Sequence, residues 1–180
     1  MAIALYAALA AAIVVSDQLL KSWVVDNYSS KVDRPVNVLG DWFRIDFIHN
    51  PGGLFGMFQN TAPVFATVTI LVVAVLVAVE LNSGWRSWLV TITLGLLLGG
   101  AIGNLIDRVR FGYVVDFADI GLGGVRFPYI FNVADSAITV AILLMFAIWF
   151  LAPHMGHSDE EPDHANVTGT RTGSGTEKGR

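Results

Sequence analysis

The sequence predicts a membrane protein with an all-α core of four transmembrane helices. Hydrophobic residues make up 54% of the 180 positions, charged residues only 14%, and the mean hydropathy is +0.59. A helix needs roughly 20 apolar residues to cross about 30 Å of hydrocarbon. Four apolar stretches of suitable length are present. We place the spans at about residues 2–25, 62–81, 88–106 and 133–151.

The first span begins close to the N-terminus. A cleaved signal sequence would carry Lys or Arg before its apolar part, but none precedes this stretch, which continues to Val25. We therefore interpret it as a retained span. Its main polar interruption contains Asp17, Gln18 and Lys21. Asp17 and Lys21 are four residues apart, so they share a helix face and can neutralise each other within the membrane.

A strand and an interfacial segment are predicted between the first two spans. Residues 42–48 alternate between apolar and polar side chains, which is the pattern of a half-buried strand. The Asn-Pro-Gly-Gly sequence at 50–53 favours a turn. Residues 54–58 are apolar but too short to cross, so we expect them to lie along the membrane interface. A small extracytoplasmic β-sheet is the expected result.

The third span ends in a segment rich in glycine and charge. Glycines within a membrane helix allow neighbouring helices to approach closely, and we assign this role to Gly99, Gly100 and Gly103. Asp107 and Arg108 follow, and a structural ion pair is the commoner role for such neighbours.

Asp116 lies in an apolar, strand-like context, Tyr-Val-Val-Asp-Phe at 113–117. The alternative, an exposed loop carboxylate, fits that context less well. Asp135 begins the fourth span and has a specific alternative role. Asn132 could cap this helix, and Asp135, three residues later, could complete a capping pattern at the positive end of the helix dipole. From the residues alone, a capping role and a catalytic role for Asp135 are equally good interpretations.

Composition excludes several kinds of function. The net charge is −4 and no basic face is visible, so we expect no nucleic acid partner. The absence of cysteine excludes disulfides, thiolate nucleophiles and cysteine metal sites. His49 has no partner ligands in the sequence, so no metal site is predicted. We expect one membrane domain at 1–152, followed by a disordered acidic cytoplasmic tail at 153–180.

Counting four crossings places both termini on one side and the segments 26–61 and 107–132 on the other. We favour the orientation that places those two segments outside the cytoplasm. The positive-inside rule opposes it, because the two segments carry six Lys and Arg residues and the short opposite loop carries only Arg86. The same count gathers the polar residues at one interface, with Asp17 and Lys21 approaching the same level. These residues are Asn50, Asp107, Arg108, Asp116, Asn132 and Asp135.

Two carboxyl groups that share one proton can hydrolyse a peptide, because one activates water while the other polarises the carbonyl. Asp116 and Asp135 are the best candidates for such a pair. A proton- or ion-coupled transporter is the alternative, but it predicts acids near the midplane and usually duplicated spans, and no repeat is visible. A noncatalytic assembly factor that docks partners through the strand-bearing loop would leave the paired acids without a purpose.

Four motifs in order resemble the lipoprotein signal peptidases (signal peptidase II), a family of bacterial intramembrane aspartyl proteases. Asp-Gln-Leu-Leu-Lys at 17–21 resembles the motif of the first span, and Asn50, Gly52, Phe55 and Gly56 fit the loop pattern. The most specific matches are GGAIGNLIDRVRFGYVVDF at 99–117 and FNVADSAI at 131–138. The family often has small residues where this chain has Gly53 and Leu54, and the tail extends beyond the usual core.

The resemblance implies that Asp116 and Asp135 are the catalytic dyad. It implies roles around the dyad or near the substrate for eight further residues: Asp17, Lys21, Asn50, Gly52, Asn104, Asp107, Arg108 and Asn132.

The implied substrate is a prolipoprotein with diacylglycerol on its lipobox cysteine, cut just before that cysteine. The resemblance also implies both termini in the cytoplasm, an active site near the outer face of the bacterial cytoplasmic membrane, no metal or organic cofactor, and inhibition by globomycin-like cyclic peptides. The expected partners are these precursors and membrane lipids, and we expect a monomer.

Overall fold

The computed structural model describes residues 2–31, 34–51, 62–82 and 87–151. These residues form four α-helices, four β-strands and a short 3₁₀ turn at Ser29–Lys31. The helices are α1 (Ala2–Tyr28), α2 (Ala62–Asn82), α3 (Trp88–Phe111) and α4 (Val133–Leu151). The strands are β1 (Val36–Leu39), β2 (Phe43–Asn50), β3 (Val114–Leu122) and β4 (Val125–Arg126).

Each helix begins where its apolar stretch predicts, but three of them end later, α2 by a single residue. α1 continues three residues past the predicted end, and α3 continues five, so Asp107 and Arg108 lie within α3 rather than after it. Three helical segments in the described ranges are long and apolar enough to cross a membrane: Ile3–Lys31, Trp88–Phe111 and Val133–Phe150. The apolar part of α2, Pro63–Val79, is shorter.

The strands form one antiparallel sheet in the order β1-β2-β3-β4. The predicted strand is present as β2, with Ile45 and Phe47 buried. The apolar context of Asp116 is strand β3. The short strands β1 and β4 were not expected from the sequence. The interfacial segment at 54–58, Gly52 and the tail at 153–180 lie outside the described residues.

α3 packs against α1, α2 and α4, and its glycines make two of these contacts possible. A Cβ atom at Gly99 would be 2.7 Å from the Cβ of Ile13, and one at Gly100 would be 2.5 Å from the carbonyl oxygen of Ala134. Real Cβ atoms essentially never come so close, so a side chain at either position would push the helices apart. The role in close packing predicted for these glycines is confirmed.

The sheet is joined to the helices by a buried apolar cluster and by short connections. Val24 of α1 packs with Ile45, Phe47, Val115 and Phe117 of the sheet. Only residues 112 and 113 separate α3 from β3. Gly112 has a φ of 78°, the left-handed conformation that commonly ends a helix, and its N–H donates to the carbonyl of Arg108. The sheet therefore begins directly at the end of the helical core.

Candidate active site

A β-bulge in β2 brings Asn50 to the same side of the sheet as Asp116. The pairing of β2 with β3 shifts between Ile45, opposite Ala118, and Ile48, opposite Asp116. β2 therefore uses one residue more than β3 over this interval, which is the definition of a bulge. Successive side chains alternate between faces, so regular pairing would have turned Asn50 away from Asp116.

Asp116 is buried, and both of its carboxylate oxygens accept hydrogen bonds from asparagine amides. Only 1% of its surface is exposed. Asn132 donates to Oδ1 at 2.6 Å, and Asn50 donates to Oδ2 at 2.9 Å. Because these donors come from the start of α4 and the end of β2, three separate chain segments meet at this carboxyl group.

Asn132 also caps α4 and so connects Asp116 with Asp135. Its Oδ1 accepts from the backbone N–H of Asp135 at 2.9 Å, and Oδ2 of Asp135 accepts from the backbone N–H of Asn132 at 3.3 Å. This reciprocal pair is the capping pattern that the sequence offered as an alternative role for Asp135. Only one oxygen of Asp135 takes part in the cap, so its other oxygen is available for further contacts.

Asn104 of α3 connects Asp135 with the buried lysine of α1. Its amide nitrogen donates to Oδ1 of Asp135 at 2.7 Å. Its oxygen accepts from Lys21 at 3.0 Å and from Asn132 at 3.1 Å. Through its side-chain amide, Asn104 contacts Asp135, whereas Asn132 contacts both Asp116 and Asp135. The two side chains fix how the first turn of α4 lies against α3.

Lys21 is only 3% exposed, and it forms ion pairs with two buried carboxylates. Its ammonium is 2.8 Å from Asp17, as the four-residue spacing predicts, and 2.9 Å from Asp107. The prediction of an ion pair between Asp107 and Arg108 is therefore replaced by a pair between α3 and α1. Asp107 also accepts from the backbone N–H of Val115 at 3.0 Å, so it fixes the residue before Asp116.

Asp17 and Gln18 complete the connections between α1, α3 and α4. Oδ1 of Asp17 accepts from the backbone N–H of Ala134 at 3.0 Å, in the first turn of α4. A Cβ at Gly103 would be only 2.8 Å from Oδ2 of Asp17, so this close approach requires glycine. Gln18 donates to Asp107 at 2.9 Å. The sequence analysis noted Gln18 as polar but did not place it in the site, although a polar residue beside Asp17 within a span was a usable signal.

Arg108 is half-buried at the edge of this group of residues. Its guanidinium donates to the backbone carbonyl of Asn104 at 3.3 Å and lies 5.7 Å from the ring centre of Phe65 in α2. Asp135, Asp116 and Asp107 all interact with it electrostatically. Arg108 therefore supplies positive charge close to both candidate catalytic acids.

The pKa of Asp116 is raised from 3.8 to about 7. Burial is the main cause, and the negative charge of Asp135 adds to it. Hydrogen bonds from Asn50 and Asn132 and the charge of Lys21 act in the opposite direction. The Asp116 carboxyl group therefore keeps its proton to a higher pH than a free aspartic acid does.

A second acidic residue on β3 belongs to a separate cluster that the sequence analysis missed. Asp119 is 3% exposed and accepts hydrogen bonds from Arg44 of β2 and Arg126 of β4. Burial alone would raise the pKa of Asp119, but the hydrogen bonds and charges of the two arginines lower it below 3.8. No local sequence pattern marks this cluster, because its three members come from three strands.

The described residues around the site do not form a cluster of metal ligands. In the part of the chain that the structure describes, no group of three or more His, Cys, Asp or Glu side chains could hold a metal ion. His49 instead lies against aromatic rings, with its ring centre 4.1 Å from that of Tyr113 and 5.0 Å from that of Phe47. The residues of the site are therefore carboxylates, amides and two cations.

The fold and site define a membrane protein in which two acidic side chains, one in strand β3 and one in the first turn of the apolar helix α4, are linked through one asparagine. Comparison with known proteins identifies its family. The family model for Signal peptidase (SPase) II matches residues 9–151. This chain belongs to the signal peptidase II family, and it is a peptidase.

Individual relatives agree with the family match. The lipoprotein signal peptidase of Moorella thermoacetica is 38% identical over 154 residues, 86% of this chain and 97% of the relative. That of Geobacillus kaustophilus is 37% identical over 151 residues, 83% and 96% of the two chains. That of Caldanaerobacter subterraneus is 44% identical over 108 residues, 60% and 71%.

Two solved structures described as bacterial membrane enzymes have similar folds. One has a TM-score of 0.74 at 29% identity and covers 87% of this chain and 92% of its own. The other has a TM-score of 0.71 at 30% identity and covers 80% of this chain and 91% of its own. The similarity therefore extends over nearly all of the membrane portion.

Proposed function

We propose that this peptidase removes the signal peptide from diacylglyceryl-modified prolipoproteins by cutting before the lipidated cysteine, with Asp116 and Asp135 as its catalytic dyad. The observation that carries the proposal is the double role of Asn132, which donates to Asp116 and caps the helix turn that holds Asp135. One side chain thus sets the position of both acids. The names of the relatives, all lipoprotein signal peptidases, support the substrate.

The reaction uses water and one shared proton. The ionised carboxylate accepts a proton from water as the water oxygen attacks the scissile carbonyl, and the protonated carboxyl donates its proton to the carbonyl oxygen. The C–N bond of the tetrahedral intermediate then breaks as the acid that took the proton from water gives it to the leaving nitrogen, while the other carboxylate takes a proton back from a hydroxyl of the intermediate. The products are the carboxyl end of the signal peptide and a free amine on the lipidated cysteine. A pKa of about 7 at Asp116 suits it to hold the shared proton.

The supporting residues act by fixing the dyad. Asn50 and Asn104 each hold one carboxyl group, while Asp107 fixes the backbone of β3 next to Asp116. Lys21 forms ion pairs with Asp107 and Asp17 and offsets part of their combined negative charge. Arg108 adds positive charge near the reacting groups, and Gly52 is assigned to the substrate-facing loop from the family motif.

The membrane topology that we propose has four spans, of which α2 is one, and both termini lie in the cytoplasm. The peptidase domain then comprises residues 1–152, and the dyad, in β3 and the first turn of α4, lies near the outer face of the membrane. In this position water enters from the interface while the signal helix and acyl chains of the precursor remain in lipid. Binding of these remote apolar parts positions the scissile bond at the dyad. Globomycin-like cyclic peptides are proposed as inhibitors.

The decisive test is cleavage of a purified, lipidated precursor, measured by the mass shift on loss of the signal peptide. Asp116→Asn and Asp135→Asn should each abolish cleavage while retaining the fold, and the exposed Asp26→Asn should cleave like the wild type. Substantial turnover by either dyad variant would reject the mechanism.

Ion flux into proteoliposomes that contain the purified protein would test the transporter alternative. The positions of Asp116 in a strand and of Asp135 in the first turn of α4 favour the peptidase, since a transporter needs its acids nearer the membrane centre.

A further inference from the structure

Gln18 is a half-buried polar side chain within the apolar helix α1. The residues that follow it, Leu19 and Leu20, are 66% and 42% exposed, as suits a helix surrounded by hydrocarbon. A polar amide in such a helix is unfavourable unless its groups are hydrogen-bonded, and polar residues within spans usually have a function. The partners of the Gln18 amide therefore indicate what this residue does.

The amide nitrogen of Gln18 lies within hydrogen-bonding distance of three acceptors. It donates to Oδ1 of Asp107 at 2.9 Å, and it is 3.2 Å from both Oδ2 of Asp17 and the backbone carbonyl of Gly103. A primary amide has two N–H groups, and hydrogen bonds to charged acceptors are the stronger ones. The short contact with Asp107 therefore takes one N–H, and the two longer contacts share the other. Gln18 thus connects α1 with a carboxylate of α3.

The two oxygens of the Asp107 carboxylate have different partners. Oδ2 is 2.9 Å from the ammonium of Lys21 and accepts from the backbone N–H of Val115 at 3.0 Å, whereas Oδ1 accepts from Gln18. The bond that carries a carboxylate group has only a broad rotational preference, so contacts must fix its orientation. By holding Oδ1, Gln18 keeps Oδ2 directed at Val115.

The ion pair with Lys21 fixes the orientation of Asp107 less well than a hydrogen bond from an amide does. The ammonium is also 2.8 Å from Asp17 and 3.0 Å from Oδ1 of Asn104, so it is shared among three acceptors on two helices. An ammonium group is a compact charge with three rotatable donors, so its attraction imposes little direction. Gln18 supplies the directional contact that Lys21 lacks.

Val115 transmits the position of Asp107 to the dyad. It precedes Asp116 in β3 and is completely buried. Because its backbone N–H is held by Asp107, the strand is fixed one residue before the reacting acid. Asn50 and Asn132 instead bind the carboxyl group of Asp116. The backbone beside Asp116 and its carboxyl group thus have separate supports.

From these contacts we propose that Gln18 is a positioning residue for the peptidase reaction. Its amide fixes the rotation of the Asp107 carboxylate, and this carboxylate fixes the backbone of β3 next to Asp116. The role of Gln18 rests on the proposed dyad, because the backbone position of Asp116 matters for cleavage only if this acid reacts. The link from Gln18 to Val115 can be measured without any cleavage.

Gln18→Met tests this link, because methionine has about the same length as glutamine but cannot donate a hydrogen bond. Ser22→Ala is the matched control, since Ser22 lies one turn further along α1 and borders the same cavity of about 280 Å³ as Gln18. Hydrogen–deuterium exchange, resolved to single amides by fragmentation, is measured in detergent on both variants and the wild type. It needs no substrate, so failure of this link is distinct from failure of the proposed dyad.

In Gln18→Met, the amide of Val115 should exchange about 10-fold faster than in the wild type, because its acceptor is held less firmly. The amide of Ala118, which donates to the carbonyl of Phe131 at 2.8 Å, should be unchanged and reports any general loosening of β3. Neither amide should respond to Ser22→Ala. Unchanged exchange at Val115, or equal increases at both amides, would overturn the proposal.

Cleavage of the lipidated precursor tests whether this position matters for the reaction. Gln18→Met should lower kcat about 10-fold, because a small misplacement of a reacting group costs rate, while KM stays within about twofold of the wild type. Ser22→Ala should keep the wild-type kcat. A Gln18→Met variant with the wild-type kcat, or one in which only KM changes, would overturn the positioning role.

Discussion

The side-chain nitrogen of Asn132 lies 2.6 Å from Oδ1 of Asp116, and the same residue begins the helix that carries Asp135. The Asn132 side chain therefore both donates a bridging hydrogen bond to Asp116 and caps helix α4. The two roles can be separated, because serine also caps helices but is too short to reproduce the amide bridge.

Asn132→Ser should lose most peptidase activity while keeping most of its stability. Asn132→Ala should lose activity as well, and about 1 kcal/mol of stability through the missing cap. Cleavage of a lipidated precursor and thermal unfolding in detergent measure the two effects. A serine variant as active as the wild type would show that the bridge to Asp116 is unnecessary.

The pH dependence of cleavage should report the proton that the proposed dyad, Asp116 and Asp135, would share. Because the pKa of Asp116 is about 7, kcat/KM should fall as pH rises through that region and the pair loses its proton. The hydrogen bond from Asn50 lowers this pKa, so Asn50→Ala should move the alkaline limb to higher pH. A pH profile of kcat/KM for both proteins provides the measurement. If the alkaline limb of Asn50→Ala stayed at the same pH or moved to lower pH, the hydrogen bond from Asn50 to Asp116 would be contradicted.

Removing Lys21 should destabilise the protein strongly. Lys21→Met leaves the carboxylates of Asp17 and Asp107 buried without their cation, at a cost of about 3 to 5 kcal/mol. Adding Asp107→Asn to this variant should restore part of the loss, because one unpaired charge disappears. The exposed Lys31→Met is the matched control and should change stability by less than about 0.5 kcal/mol. Equal unfolding temperatures for the two lysine variants would exclude a structural ion cluster.

The sequence was sufficient where the controlling interaction is local. The apolar stretches predicted where every helix starts. The four-residue spacing predicted the pair of Asp17 with Lys21, and the three-residue spacing predicted the cap formed by Asn132 and Asp135. These patterns involve only neighbours along one helix, so the residues themselves carry the geometry.

Contacts between distant segments could not be obtained in this way. Asp107 was assigned to its neighbour Arg108, but helix α3 continues past it and turns it toward Lys21 of α1. The bulge that directs Asn50 to Asp116, 66 residues further along the chain, depends on the pairing of β2 with β3. The cluster around Asp119 likewise requires three strands to be assembled first.

The stability contributed by Asp119 should depend on pH. The folded protein holds the pKa of this carboxyl below 3.8, its usual value, so its pairing with Arg44 and Arg126 stabilises the fold at pH values above that range. The contribution is lost as pH falls toward the lowered pKa, because the carboxylate is then protonated in both states. Asp119→Asn should therefore cost about 2 kcal/mol near neutral pH and less in acid. Unfolding scans at several pH values test this, and a loss that grows in acid would be contrary to the assignment.

Two glycines of α3 offer a graded test of helix packing. A Cβ at Gly100 would be 2.5 Å from the carbonyl oxygen of Ala134, which is backbone and cannot move aside, whereas a Cβ at Gly95 would meet its nearest atoms at 3.2 Å. Gly100→Ala should therefore push the start of α4 away from α3, lowering stability by about 1 to 3 kcal/mol and lowering activity through the displaced Asp135. Gly95→Ala should cost less stability and leave cleavage nearly unchanged, because it lies far from the dyad along α3. Unfolding temperature and initial cleavage rate, measured on both variants, give the comparison, and equal effects at the two positions would refute a special requirement for glycine beside α4.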